Sequence, residues 1–139
     1  MHELPPELEA LKQFHGHLGP YVVVGYRMGK LARAEMKGKL KAVAYSKRPP
    51  VSCLVDGIQF TSGCTLGKGN IEVLDDGIPK AIFRSADLEL TLELKDEVRR
   101  DVDAQMTHET EEMLALSIFR ASTDSLFTIK RSTPCPPGR

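Results

Sequence analysis

The 139-residue sequence balances 19 Lys+Arg against 19 Asp+Glu, for a formal net charge of zero, with 41% hydrophobic and 27% charged residues. That is the balance of a single globular domain with a core of its own, and it excludes the strong basic field of a nucleic-acid binder. No apolar run approaches the ~20 residues of a membrane span, and the opening MHELPPELEA lacks the apolar segment of a signal peptide, so a cytoplasmic protein is expected.

Leu4, Leu8, Leu11 and Phe14 recur at helical spacing and predict a short helix over 5–14, opened by Pro5 and Pro6. Gly16 and Gly19 break it, and Pro20 opens a second helix over 20–37. Tyr21, Val24, Met28 and Leu31 give that helix its apolar stripe, and Val22 and Val23 make its first turns apolar nearly all round. Gly25 and Gly29, four apart, leave one face open to close approach by another backbone or a docking partner. Gly38 ends the helix.

A strand is predicted over 41–46, a turn at Pro49-Pro50 and a second short apolar strand over 51–55. Residues 56–70, DGIQFTSGCTLGKGN, read as a helical turn followed by a glycine-rich loop. KAIFR at 80–84 is another strand. DLELTLEL at 87–94 alternates leucine with polar residues, the period of a sheet with one wet face. Helices follow over 95–104 and 108–121, the second with Met113, Leu114, Leu116, Ile118 and Phe119 as its apolar residues and acids in its first turn. A last strand spans 125–130. The expected fold class is α+β, with N-terminal helices packed on a mixed or antiparallel sheet. It forms one domain over 1–131, followed by an irregular Pro/Gly-rich tail over 132–139.

Two stretches carry chemistry-bearing residues. In FHGHLGPY at 14–21, His15 and His17 flank a glycine; in a regular helix they would point about 200° apart, but a glycine-loosened backbone lets both rings converge. In CLVDGIQFTSGCTLGKGN at 53–70, Cys53 and Cys64 are too far apart for a zinc knuckle, and spacing alone leaves them as core thiols or ligands. Asp56 and Gln59 between them are either partners that steady a ligating imidazole or capping and surface residues. GCTLGKGN fails the Walker A pattern, with three residues where four are needed and Gly69 after Lys68. A glycine-rich nest with Lys68 remains as an anion-binding feature or a plain tight turn. Cys135 lies in the tail and reads as incidental. Two imidazoles and two thiols suit zinc, with iron, nickel or copper as alternatives on ligand type.

FHGHLGPYVVVGYRMG at 14–29 followed by CLVDGIQFTSGCTLGKGNI at 53–71 resembles the FmdE family, named for formylmethanofuran dehydrogenase. The resemblance covers roughly the N-terminal half. It implies an α+β core, often dimeric, with a metal site, usually zinc. Carried over to this chain, the resemblance implies His17, Cys53 and Cys64 as metal ligands. His15, Asp56 and Gln59 would line the same cleft, with residues 65–70 as its wall. Many relatives have a Cys where Gly19 stands here, and many add a cysteine-rich zinc-finger module; this sequence reads as the core without it. The family name refers to a pterin enzyme of methanogenesis and one-carbon metabolism, yet no motif here would hold a pterin.

The reading that follows is a metal-binding, homodimeric FmdE-like protein with an open coordination position. In it His15 and Cys64 are candidate catalytic residues, Asp56 steadies the site, and Gln59, Thr65, Lys68 and Asn70 bind substrate, Lys68 by holding an anion. One rival is a non-catalytic accessory component of a dehydrogenase complex, docking through the Gly25/Gly29 face. The other is a metal-free thiol enzyme with Cys64 as nucleophile.

Overall fold

The computed structural model describes residues 4–133. In chain order the elements are α1 (Pro6–His15), α2 (Pro20–Glu35), β1 (Lys41–Ser46), α3 (Cys53–Ser62), β2 (Ile71–Val73), β3 (Gly77–Arg84), β4 (Glu89–Leu94), α4 (Asp96–Gln105), α5 (Glu111–Arg120), α6 (Thr123–Leu126) and β5 (Phe127–Ser132). The five strands form one sheet in the order β2-β1-β3-β4-β5, with β1 and β2 parallel and the other pairs antiparallel. The fold is therefore α+β with a mixed sheet.

Strand register sorts the residues into a dry face and a wet one. Ala44, Ala81, Leu92 and Ile129 are paired in one row across four strands, and the first three are fully buried. The neighbouring row, Val43, Ile82, Thr91 and Lys130, points the other way and is only partly covered or exposed. The dry face shares one core with Leu8 and Leu11 of α1, Val22 to Val24 and Met28 of α2, Leu54 and Ile58 of α3, and Leu116 and Ile118 of α5. Met113 on α5 is 58% exposed and stays outside that core.

The main departure from the sequence expectation is at 51–55. These residues are not a strand; Val51 and Ser52 lie in a turn after the cis Pro49-Pro50 bond, and α3 starts at Cys53. A five-residue apolar run does not distinguish a buried strand from a buried helix, and packing decides it. Leu54, Gly57 and Ile58 form the buried helical stripe. A Cβ on Gly25 would overlap the backbone of Leu54, and one on Gly57 would overlap the backbone of Val22 and Tyr26, so α2 and α3 touch backbone to backbone. The Gly25/Gly29 face is thus filled by α3 rather than open to a partner.

Smaller differences follow the same logic. The last long helix begins at Glu111, because Thr107 and Thr110 close a hydrogen-bonded turn before it. β2 and the short α6 are additional elements, the latter capped by the Ser122 hydroxyl, which accepts from the Ser125 N–H. Arg27 pins α5 to α2: its Nη1 donates to the carbonyls of Ile118, Phe119 and Ala121 at 2.9, 3.0 and 2.7 Å, satisfying groups a helix C-terminus leaves unpaired. Of the tail, Ser132 closes β5, and residues 134–139, Cys135 included, lie outside the described residues.

Candidate metal centre

The centre is built where α1 ends and α3 begins. His15 is the last residue of α1, and Gly16 follows with φ 105°, a left-handed conformation that suits glycine and reverses the chain. The reversal brings His17 back over His15, with ring centroids 4.6 Å apart and the planes inclined by 49°. Cys53, at the first position of α3, completes the group. One donor atom from each of His15, His17 and Cys53 lies within 4.8 Å of the other two, close enough to share an ion.

A chain of hydrogen bonds fixes His15 from behind. The Leu66 N–H donates to Gln59 Oε1 at 2.9 Å, so the Gln59 amide must offer its Nε2 to Asp56 Oδ1, 3.3 Å away. Asp56 Oδ2 lies 2.6 Å from His15 Nδ1. The Asp56 carboxylate accepts a hydrogen bond from Nδ1–H, which puts the free lone pair of the His15 ring on Nε2. That Nε2 is buried and, among the described residues, has no hydrogen-bond partner. Buried polar atoms are nearly always satisfied. A bare imidazole nitrogen, on a ring backed by a carboxylate and grouped with a thiol and a second imidazole, suits a metal ligand.

His17 has a carboxylate of its own. Glu111 Oε2 is 3.5 Å from His17 Nδ1, and its Oε1 is 4.0 Å from His108 Nδ1. The sequence signal for Glu111 is its place in the first turn of a helix, where an acid is explained by the helix dipole alone; only the fold brings it to His17. Burial, then the charges of Asp56 and Glu111, push the Cys53 thiol above its ordinary pKa. A cation at the site would favour the thiolate.

A cavity of about 380 Å³ opens beside the group, reached by His17 and Cys53. Pro20, Tyr21, Val22, Pro50 and Met106 give it apolar walls, and Thr107, His108 and Glu111 a polar side.

The other expected residues lie elsewhere. Cys64 is not among the gathered donors: the ten-residue helix α3 lies between it and Cys53, which at ~1.5 Å per residue sets the two thiols at opposite ends of about 15 Å of helix. The expected strand and loop would have allowed them to meet; a helix does not. Cys64 is fully buried, and that burial pushes its thiol pKa up, which disfavours the thiolate a nucleophile needs. Gln59 holds Asp56 and the Leu66 amide and does not line the cavity. In the glycine-rich loop the Thr65 N–H donates to Asn70 Oδ1 at 2.7 Å, and the Lys68 N–H donates to Thr65 Oγ1 at 3.2 Å. Lys68 Nζ donates to the Gly63 carbonyl at 2.8 Å, beyond the end of α3. These groups fasten a turn to itself and to α3 rather than pointing at a common ligand.

Residues 14–128 match the model of the FmdE family, described as "Molybdenum formylmethanofuran dehydrogenase operon". A curated relative from Archaeoglobus fulgidus, described as a probable S-adenosyl-L-methionine-binding protein, is 36% identical over 72 residues. That match takes in 48% of this chain and 20% of the relative, so the shared segment is about one fifth of the relative's length. The solved structure of an FmdE-like protein of the tungsten formylmethanofuran dehydrogenase type, from Syntrophus aciditrophicus, superimposes with a TM-score of 0.68. The superposition covers 94% of this chain and 72% of that one at 16% identity, a likeness of fold.

Proposed function

This chain belongs to the FmdE family, and on that premise we propose that it binds a transition metal through His15 Nε2, His17 and Cys53. Two imidazoles and a thiolate suit zinc first, with iron or nickel as the alternatives. The observation that carries the reading is the buried His15 Nε2, without a partner among the described residues, on a ring that Asp56 holds in place. Three protein ligands beside a cavity leave a coordination position for a small molecule or water, the pattern of a ligand-binding or catalytic site rather than a closed structural one. Such an ion supplies Lewis acidity toward a carbonyl or a bound water. The chain's own part is to orient the ligands: Asp56 holds His15, Gln59 holds Asp56, and the Leu66 amide holds Gln59.

The test is metal content of tag-free protein after exchange into metal-free buffer and back into equimolar zinc. The expected result is one equivalent bound by the unmodified chain and less than a tenth by Cys53→Ser or by His15→Ala, with Cys64→Ser still binding one. Loss of binding in Cys64→Ser with Cys53→Ser unaffected would reverse the assignment.

A role as an accessory component of a formylmethanofuran dehydrogenase system is the second reading, favoured by the operon for which the family is described. A cytoplasmic homodimer is the setting we propose for the first reading. Purification from a native host separates them, since co-elution with dehydrogenase subunits supports the accessory role and a dimer of this chain alone supports the other. S-adenosyl-L-methionine, the ligand in the Archaeoglobus relative's description, belongs in the same binding screen.

A further inference from the structure

The cavity beside the donor group has a definite chemical character. Among its described lining residues there is no lysine and no arginine. Lys68, expected to receive an anion, is turned to the Gly63 carbonyl, and Lys12 is paired with Glu112 at 2.5 Å. Negative charge is present instead: Glu111 lines the cavity with its side chain 21% exposed, and Asp56 stands behind His15. Apart from His17, the one lining side chain able to carry positive charge is His108, which is 96% exposed and lies beside Glu111. With a divalent ion in place, the Cys53 thiolate and the two carboxylates together carry more charge than the ion. An anion entering here meets the Glu111 carboxylate, which has imidazoles beside it but no lysine or arginine in the described lining, and like charges brought together in a partly dry site repel strongly. The walls of Pro20, Val22, Pro50 and Met106 favour an apolar body.

We infer that this cavity takes an uncharged ligand with an apolar body, of the class of amides and ketones on a short alkyl chain, and that Glu111 is the residue that turns anions away. The inference deepens the metal-site reading and rests on it for the choice of this cavity as the functional one. It replaces the anionic substrate expected from the glycine-rich loop. Specificity of this kind comes from a repulsive element as much as from an attractive one.

Pentanamide and pentanoate have nearly the same shape and differ in charge, so they isolate the effect. The full chain, carrying methyl-labelled methionine, is titrated with each probe at neutral pH in zinc-loaded and in metal-free form, and the Met106 methyl resonance is followed. The expected result is an affinity for pentanamide at least fivefold above that for pentanoate in both forms. In Glu111→Gln the ratio falls below twofold because pentanoate binds better. Pentanoate binding as tightly as pentanamide to the unmodified chain would overturn the inference, as would an unchanged ratio in Glu111→Gln or a Met106 resonance that neither probe moves. Zinc uptake is read on the same samples. A chain that discriminates the probes yet takes no zinc refutes the metal reading alone, and zinc uptake without discrimination refutes this inference alone.

Discussion

His15 Nδ1 lies 2.6 Å from Asp56 Oδ2, joining the last residue of α1 to the first turn of α3. The contact decides which nitrogen His15 offers, and it does so across 41 residues of sequence. A carboxylate behind a ligating imidazole fixes both its tautomer and its orientation, and loss of such a partner commonly costs about 10- to 100-fold in metal affinity. Asp56→Ala is therefore expected to weaken zinc binding by about that factor. Competition against a chromophoric chelator measures it, and an affinity within twofold of the unmodified chain would show that Asp56 does not position the ligand.

The contact between α2 and α3 makes a stability prediction. Gly25→Ala forces a methyl into the Leu54 backbone, which has no flexible side chain to move aside. Overpacking of this kind costs about 1–3 kcal/mol or more, which in a domain of this size lowers the thermal midpoint by roughly 3–10 °C. Gly77→Ala is the control: nothing lies within 4 Å of a Cβ there, and the expected change is within about 0.5 kcal/mol. Calorimetry on both variants checks the pair; equal midpoints would mean the two helices are not in backbone contact.

These two sites also show what is legible in the sequence. The Gly25 spacing announces a close approach, but not that the approaching element is α3, because the apolar run at 51–55 fits a buried strand as well as a buried helix. That ambiguity carries into the metal site. With 51–55 extended and a loop after it, Cys53 and Cys64 are free to converge; with α3 helical they stand at its two ends. His15 and His17 are visible through their glycine-flanked motif, since the departure from helical spacing is local. Glu111 is not, because its contact with His17 depends on how α5 packs against α2, and an acid at a helix start needs no other explanation. The alternating DLELTLEL run, by contrast, places Leu90, Leu92 and Leu94 on the buried face; a sheet with one wet face is written in two-residue periodicity.

The far end of α2 supplies a pH dependence. The hydrogen bond from Arg131, reinforced by its charge, holds the Glu35 carboxyl below its ordinary pKa; the donated bonds measure 2.7 and 2.6 Å. Because the folded-state pKa lies below the unfolded one, this pair stabilises the fold fully above the unfolded carboxylate range. The contribution is lost as pH falls through the depressed value. Half of the Arg131 side chain is exposed, so solvent screening keeps the contribution under about 1 kcal/mol. Glu35→Gln should lower stability at pH 7 by up to that amount and match the unmodified chain once the pH is below the depressed Glu35 value. Urea unfolding at both pH values measures it; a deficit that persists undiminished in acid would assign the effect to packing.

X-ray absorption at the zinc edge of the loaded protein tests the metal assignment most directly, because it reads donor identity without relying on any variant. The expected shell is two imidazole nitrogens at about 2.0–2.1 Å and one sulfur at about 2.3 Å, with the remaining position filled by a light atom. Two sulfurs in that shell, or none, would contradict a site formed by His15, His17 and Cys53.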